Sequence, residues 1–206
     1  MTDVPEKPDD LWLVFDLGGV LFDFHGIAGL AAITGRAEDD IHGALRHSPA
    51  CRLYETGAAT GEEFAALLAG ELDLDMAPAE LLGRWEGWLG GAKPGARALL
   101  ADAGARYHTA CLSNTSAVHW KGLTGTHGVD RLFRRTFASH LIGYWKPDPR
   151  IFAHVAGALG PAVARIVYFD DNQHIVDGAR AVGWDAHLAK GPADVRGALA
   201  RLGLAV

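Results

Sequence analysis

The sequence predicts an α/β fold: a doubly wound parallel sheet as the core, with an all-helical cap inserted after the first strand. Three observations lead there. Short apolar runs recur along the second half of the 206-residue chain, each followed by a helical pattern; such alternation builds a parallel sheet covered on both faces. One further apolar run, Leu11–Phe15, stands apart near the N-terminus. Between it and the others, over residues 23–92, helical periodicity replaces the alternation.

Taken in order, Met1 to Asp10 is polar and acidic with two prolines. It lacks the basic and apolar regions of a signal peptide and is expected to be a flexible tail. Leu11–Phe15 reads as a buried strand that ends abruptly in Asp16, with Gly18 and Gly19 just beyond. Residues 23–92 contain no expected strand. Asp39–Arg46 reads as a helix. Thr60-Gly61-Glu62-Glu63 is a capping box, and Phe64, Leu67, Leu68 and Leu72 follow at helical spacing. Pro78 opens another helix with Leu81, Leu82, Trp85, Trp88 and Leu89 on one face. An insertion that begins just after Asp16 must emerge beside that carboxylate, so its position is that of a lid.

From residue 93 the alternation resumes. A helix over Gly95–Ala103 has Pro94 near its start and Gly104 past its end. Strands follow at Tyr107–Leu112, Thr136–Ala138, Ile166–Phe169 and Ala186–Leu188. Helices fall at Thr115–Trp120, Pro149–Leu159, Ile175–Val182 and Ala193–Leu202. The expected organisation is a core of residues 11–22 and 93–206, a cap of 23–92 and a tail of 1–10.

Composition is that of a globular protein, 49% hydrophobic and 21% charged, with a net charge of −6. That balance argues against nucleic acid or an anionic membrane as partner. No run approaches the ~20 apolar residues that span a bilayer. Cys51 and Cys111 lack metal-ligand spacing, and two cysteines are too few for a disulfide framework. A cytoplasmic monomer or homodimer is the expectation.

Four strand ends carry chemistry. Asp16 lies at the carboxyl end of the first strand, where a doubly wound sheet places its site. Ser113-Asn114-Thr115 follows a strand and starts a helix; hydroxyl, amide and free N–H groups there suit a phosphate, although these residues also serve as simple N-caps. Lys146, locked by Pro147, is a fixed positive charge before a helix. Asp170 and Asp171 end the strand Ile166–Phe169 side by side. Adjacent acids repel unless a cation is present, and Mg²⁺ prefers one or two carboxylates plus phosphate and water oxygens.

The set strand–Asp, strand–Ser/Asn, loop–Lys, strand–Asp-Asp resembles the haloacid dehalogenase superfamily, mostly phosphatases, from Leu11 to about Leu202. The resemblance implies a Rossmann-like core, and the insertion is similar to that family's first type of cap. It implies that Asp16 is a nucleophile forming an aspartyl-phosphate, that Ser113 and Asn114 hold the phosphoryl oxygens, and that Lys146 neutralises developing charge. It also implies Mg²⁺ held by Asp16, Asp171 and the Gly18 carbonyl, with Asp170 in support, and a small phosphorylated molecule as substrate.

The sequence departs from most of that family at Gly18, where a second Asp would protonate the leaving group. General acid–base help of this kind is worth ~10²–10⁴-fold. Three readings follow. A phosphatase without that acid would act on good leaving groups, such as sugar 1-phosphates or acyl phosphates, or recruit Asp23, His25, His42 or His47 instead. A dehalogenase also lacks the second Asp, but carbon-centred displacement needs no metal and leaves Asp170-Asp171 unexplained. A protein without turnover would bind or sense a phosphorylated ligand; a receiver-like domain is disfavoured because its acid pair belongs near the first strand. Asp16-Leu17-Gly18-Gly19-Val20 is most similar to a bacterial subgroup that includes an α-D-glucose-1-phosphate phosphatase. Elsewhere, Trp85 and Trp88 read as cap core and Trp145 as a cleft residue or a bland one. His119, His127, His140, His154 and His187 are scattered, His174 is near the acid pair, and Asp177 is expected to orient Lys146.

Overall fold

The computed structural model describes residues 8, 10–160 and 164–206. The tail expected over 1–10 therefore lies, apart from Pro8 and Asp10, outside the described residues. The chain opens with β1 (Leu11–Phe15) and β2 (Phe22–Phe24). Five helices follow: α1 (Gly26–Thr34), α2 (Glu38–His47), α3 (Pro49–Glu55), α4 (Gly61–Glu71) and α5 (Pro78–Gly87). Next come β3 (Leu89–Ala92), α6 (Ala96–Arg106), β4 (His108–Ser113), α7 (Ala117–Gly125), α8 (Val129–Leu132) and β5 (Arg135–Ala138). The chain continues through α9 (Ser139–Ile142), α10 (Pro149–Leu159), β6 (Arg165–Asp170), α11 (Gln173–Ala181), β7 (Asp185–Leu188) and α12 (Pro192–Arg201).

β5, β4, β1, β6 and β7 form one sheet in that spatial order, every pair parallel. Every residue of β1 is buried, as a central parallel strand requires. Its side chains alternate between faces. Leu11, Leu13 and Phe15 join Leu99 and Leu100 of α6 and Val195 and Leu199 of α12. Trp12 and Val14 join Ile151, Phe152 and Val155 of α10 and Val176 of α11. Chain order reverses between β1 and β6, and that switch point is where such sheets open a crevice beyond their strand ends.

The cap has a core of its own. Leu30, Ile41, Tyr54, Phe64, Leu68, Leu81 and Trp85 are buried together. Phe64 stacks on Tyr54 at 4.3 Å between centroids and meets Trp85 edge-on at 4.9 Å. The capping box forms: Thr60 Oγ1 accepts the Glu63 N–H at 3.2 Å, and Glu63 Oε2 accepts the Thr60 N–H at 2.8 Å.

The strandless reading of 23–92 is corrected. β2 and β3 pair antiparallel as a two-stranded ribbon where cap meets core. At three and four residues, one of them Leu-Gly-Gly-Ala, they give no pattern to read. Gly90 permits their close approach: a Cβ there would lie 2.8 Å from Asp23 Cβ and 2.9 Å from its carbonyl oxygen. The same ribbon ends α5 at Gly87, so Leu89 leaves the helical face expected for it. Helices α1, α3, α8 and α9 have no counterpart in the sequence reading. Among the described residues no helix is long and apolar enough to cross a membrane.

Candidate active site

Parallel register brings the loaded strand ends together. Phe15 lies beside Cys111 of β4 and Phe169 of β6, and the Asp16 N–H donates to the Phe169 carbonyl at 2.8 Å. Asp16, Ser113 and Asp170 thus leave neighbouring strands at one edge, and each is buried: 8%, 4% and 0% exposed.

Lys146 is the hub. It is 2% exposed. Its Nζ lies 2.9 Å from Asp16 Oδ1, 2.7 Å from Asp170 Oδ2, 2.8 Å from the Tyr168 hydroxyl and 3.1 Å from the Leu112 carbonyl. The two carboxylates hold its pKa above the ordinary lysine value despite burial that favours the neutral amine. Asn114 fixes the loop that carries it, accepting the Lys146 N–H at 2.8 Å and donating to the Lys146 carbonyl at 3.1 Å. The Asn114 side chain is therefore spent on the lysine's main chain. The expectation that Asp177 orients Lys146 is corrected. Asp177 stands on the outer side of α11, accepting from Gln173 at 2.7 Å and pairing with Arg180 at 3.6 Å, with its side chain 60% exposed.

Three carboxylates converge: ligand atoms of Asp16, Asp170 and Asp171 all lie within 4.8 Å of one another. Burial first, then the two neighbouring acids, push the Asp16 carboxyl up to about 8 against the pull of Lys146. Asp171 is raised as well, by burial and by Asp170. Hard carboxylate oxygens crowded at this spacing suit a divalent cation with oxygen ligands, so the donor set fits Mg²⁺. Asp170 is the least available of the three: Oδ2 takes Lys146 and Tyr168, and Oδ1 accepts the Asn172 N–H at 2.9 Å. Gly18 lines the same cleft. Gly19 has φ +75°, and its bare α-carbon lets the turn close over Asp171.

The cleft has a volume of about 350 Å³ between cap and core. Its floor holds Gly18, Ser113, Lys146 and Asp171, and one wall is apolar, with Phe22, Phe24, Ile27, Leu45, Trp85 and Leu89. His42, Arg46, His47 and Arg52 reach it from the cap, and Trp145 and His174 from the core. Trp85 is both cap core and cleft wall, whereas Asp23 pairs with Lys93 at 3.8 Å. His119 is buried, its Nε2 2.9 Å from the Trp85 carbonyl oxygen.

A family model described as haloacid dehalogenase-like hydrolase matches residues 12–183. The chain belongs to that family. Among curated proteins, this haloacid dehalogenase-like hydrolase is 32% identical over 143 residues to a phosphatase from Mycobacterium tuberculosis. That match covers 68% of this chain and 65% of the relative, a little under two thirds of the relative's length. A sesquiterpene phosphatase from Aspergillus oryzae is 28% identical over 173 residues, covering 82% of this chain and 85% of that protein. Among solved structures, a HAD family enzyme from Bacteroides thetaiotaomicron in complex with magnesium and inorganic phosphate superposes with a TM-score of 0.66. It is 22% identical, with 86% of this chain and 92% of that one covered. The L-2-haloacid dehalogenase of Xanthobacter autotrophicus gives 0.63 at 23% identity, covering 85% and 75%. At such identities the two structures establish the shared fold of the family.

Two residues at this site escape the sequence reading. Tyr168 lies two positions before Asp170 on one strand, so both face the same way; that spacing is a usable signal. Glu55 has none. It ends α3, which the sequence does not announce, and its Oε2 accepts the Trp145 indole N–H at 2.6 Å.

Proposed function

We propose that this hydrolase is a Mg²⁺-dependent phosphatase acting on a small phosphorylated metabolite through an aspartyl-phosphate on Asp16. The observation that carries the reading is the pairing of a buried lysine with a three-carboxylate cluster beside Ser113. Phosphoryl transfer needs an in-line nucleophile and positive charge around the equatorial oxygens, and this site offers both. Displacement at carbon would leave the carboxylate cluster without a purpose. The phosphatases among the chain's relatives point the same way.

Asp16 attacks phosphorus with one carboxylate oxygen while Lys146 holds the other. A covalent intermediate then splits hydrolysis into two easier steps. Ser113 and the main-chain N–H of Asn114 receive the phosphoryl oxygens, and the Asn114 side chain keeps Lys146 in place. Asp16, Asp171 and the Gly18 carbonyl would hold Mg²⁺, with Asp170 supporting Lys146 behind them. When bound, the metal offsets the repulsion between two anions and the charge that develops on the phosphoryl group.

The substrate body has two readings. Similarity of Asp16–Val20 to the glucose-1-phosphate phosphatase subgroup favours a sugar phosphate. The apolar wall of Phe22, Phe24, Ile27, Leu45, Trp85 and Leu89 favours a carbon-rich ester, in keeping with the sesquiterpene phosphatase among the relatives. A phosphate-release screen with Mg²⁺ across sugar, acyl, aryl and isoprenyl phosphates decides between them. Asp16→Asn is expected to abolish release from every active substrate, and a chelator to stop the wild type. Unchanged turnover in Asp16→Asn would sink the covalent mechanism. Chelator-resistant activity on a 2-halo acid would transfer the chain to the dehalogenases.

A further inference from the structure

Gly18 leaves the site without the usual proton donor, yet a carboxyl group is set into the same cleft from the cap side. Glu55, the last residue of α3, lines the cavity together with Gly18, Ser113, Lys146 and Asp171. It is tied to the core at two points. Its carbonyl accepts the Ser139 hydroxyl, and the same hydroxyl oxygen accepts the Thr115 N–H at 2.9 Å. Its Oε2 accepts the indole N–H of Trp145, the residue next to Lys146. As a residue Glu55 is half-buried, and its carboxyl is near enough to Lys146 to feel its charge.

Resting on the phosphatase reading above, we infer that Glu55 is the general acid and base of this enzyme, delivered by the cap to stand in for the acid missing at position 18. As Asp16 bonds to phosphorus and the phosphorus–oxygen bond to the leaving group breaks, the Glu55 proton passes to the departing oxygen. An alcohol leaves and Glu55 becomes a carboxylate. Glu55 then takes a proton from the water that attacks the aspartyl-phosphate. The bond between phosphorus and Asp16 breaks, inorganic phosphate leaves, and both carboxyl groups return to their starting states.

The other candidates are placed less well. Asp23 is turned to Lys93. The His42 ring lies 3.4 Å from the Arg46 guanidinium, His47 is exposed at the end of α2, and His25 is exposed and stands outside the cleft. Glu55 has the acidity this role requires. Burial pushes its carboxyl up to about 7, against the opposing influence of Trp145 and Lys146, so proton and carboxylate are both accessible near neutrality. The charged and titratable groups that interact with it are Lys146 from the core and Cys51 and Tyr54 from its own helix. Of the elements packed against α3, α9 carries His140, 3.1 Å from the Thr115 carbonyl, and α4 carries Glu71, which holds Ser48 and the Ala50 N–H. The Arg52 guanidinium sits over the Trp145 ring at 5.6 Å.

The test is a leaving-group series with Mg²⁺, comparing wild type, Glu55→Gln and Trp145→Phe. Glutamine keeps an oxygen for the Trp145 N–H and loses only the proton. Because Glu55 also serves the second step, which is the same for every substrate, the readout is single-turnover release of the leaving group, which reports the first step alone. For 4-nitrophenyl phosphate, whose leaving group scarcely needs protonation, that release should stay within a few-fold of wild type in Glu55→Gln. Single-turnover release of phenol and of alcohols from phenyl and alkyl phosphates should fall by ~10²-fold or more. The wild-type rate on phenyl phosphate should decline as pH rises through about 7, the value to which Glu55 is raised. Trp145→Phe, which removes a hydrogen bond to the carboxylate, should move that decline to higher pH. An equal loss of single-turnover release across all leaving groups, or no loss, overturns the role of Glu55 while wild-type activity and its absence in Asp16→Asn leave the phosphatase reading standing. No phosphate release by the wild type overturns both. If Glu55→Gln does not fold, an unshifted pH profile in Trp145→Phe is the overturning result.

Discussion

A Cβ placed on Gly19 would lie 2.1 Å from Asp171 Oδ2. The turn after β1 and the loop after β6 therefore meet through a glycine that cannot be replaced without moving an acid. Gly19→Ala combines that clash with a left-handed backbone, φ +75°, which costs an L-residue ~1–2 kcal/mol. The fold should survive with a modest loss of stability. Asp171 should be displaced, and the Mg²⁺ concentration for half-maximal activity should rise at least about tenfold, a ~1.4 kcal/mol effect. A Mg²⁺ titration of activity checks it, and an unchanged midpoint removes Asp171 from the metal site.

Lys146→Met tests the hub. Removing one partner from a buried ion-pair network leaves uncompensated charge, and the cost is about 3–5 kcal/mol. Here Asp16 and Asp170 would face each other without the ammonium at 2.9 and 2.7 Å. Turnover should fall by ~10²–10³-fold from lost charge stabilisation. Added Mg²⁺ should recover stability but not turnover. Denaturant unfolding and steady-state rates, each with and without metal, separate the two; recovery of both would make Lys146 a purely structural residue.

Stability without metal should depend on pH through Asp16. Its folded pKa, raised to about 8, lies above the ordinary 3.8. The folded state then binds this proton more tightly than the unfolded chain, so stability is greatest at low pH and declines as pH rises between those values. Glu55 and Asp171, raised likewise, slope in the same direction. Lys146 is shifted upward from 10.5 and stays charged in both states through this window. Mg²⁺ binds the ionised acids and should flatten or reverse the trend. Thermal unfolding across the window in chelator should show Tm falling with pH; a rise would contradict the burial assigned to these carboxyls.

Phe64→Ala probes the cap alone. Phe64 is fully buried between Tyr54 and Trp85, and truncating such a ring costs about 3–5 kcal/mol. The cap has a hydrophobic cluster of its own, so proteolysis should become faster within residues 23–92 while the five-stranded core stays protected. Uniform loss of protection across the chain would mean that cap and core unfold as one.

Much of this is legible because the core obeys simple periods. Fully apolar β1 ending in Asp16, and β6 ending in Asp170-Asp171, announce themselves without long-range information. Where contacts are decided across the chain, the sequence is silent. The ribbon of Phe22–Phe24 with Leu89–Ala92 contains two glycines that carry no strand preference, and its pairing is fixed by an approach of residues far apart. Asp177 looks suitable by spacing along α11, but the lysine has nearer partners on strands. Tyr168, hidden in an apolar run, and Asp170 at its end are its true companions. Glu55 matters through Trp145, ninety residues away, and no local pattern could pair them.

The ribbon has one more consequence. The chain passes between core and cap twice, and both passages run side by side, hydrogen-bonded through β2 and β3. Two linkers bonded to each other swing as a single strip. A paired strip yields more readily about one axis than in twist, so movement of the cap would resemble a door's rather than a sideways slide. Every closure would then return Glu55 and the apolar wall to the same register above Asp16, and the accuracy of that register would be set at the doorpost, far from any reacting atom.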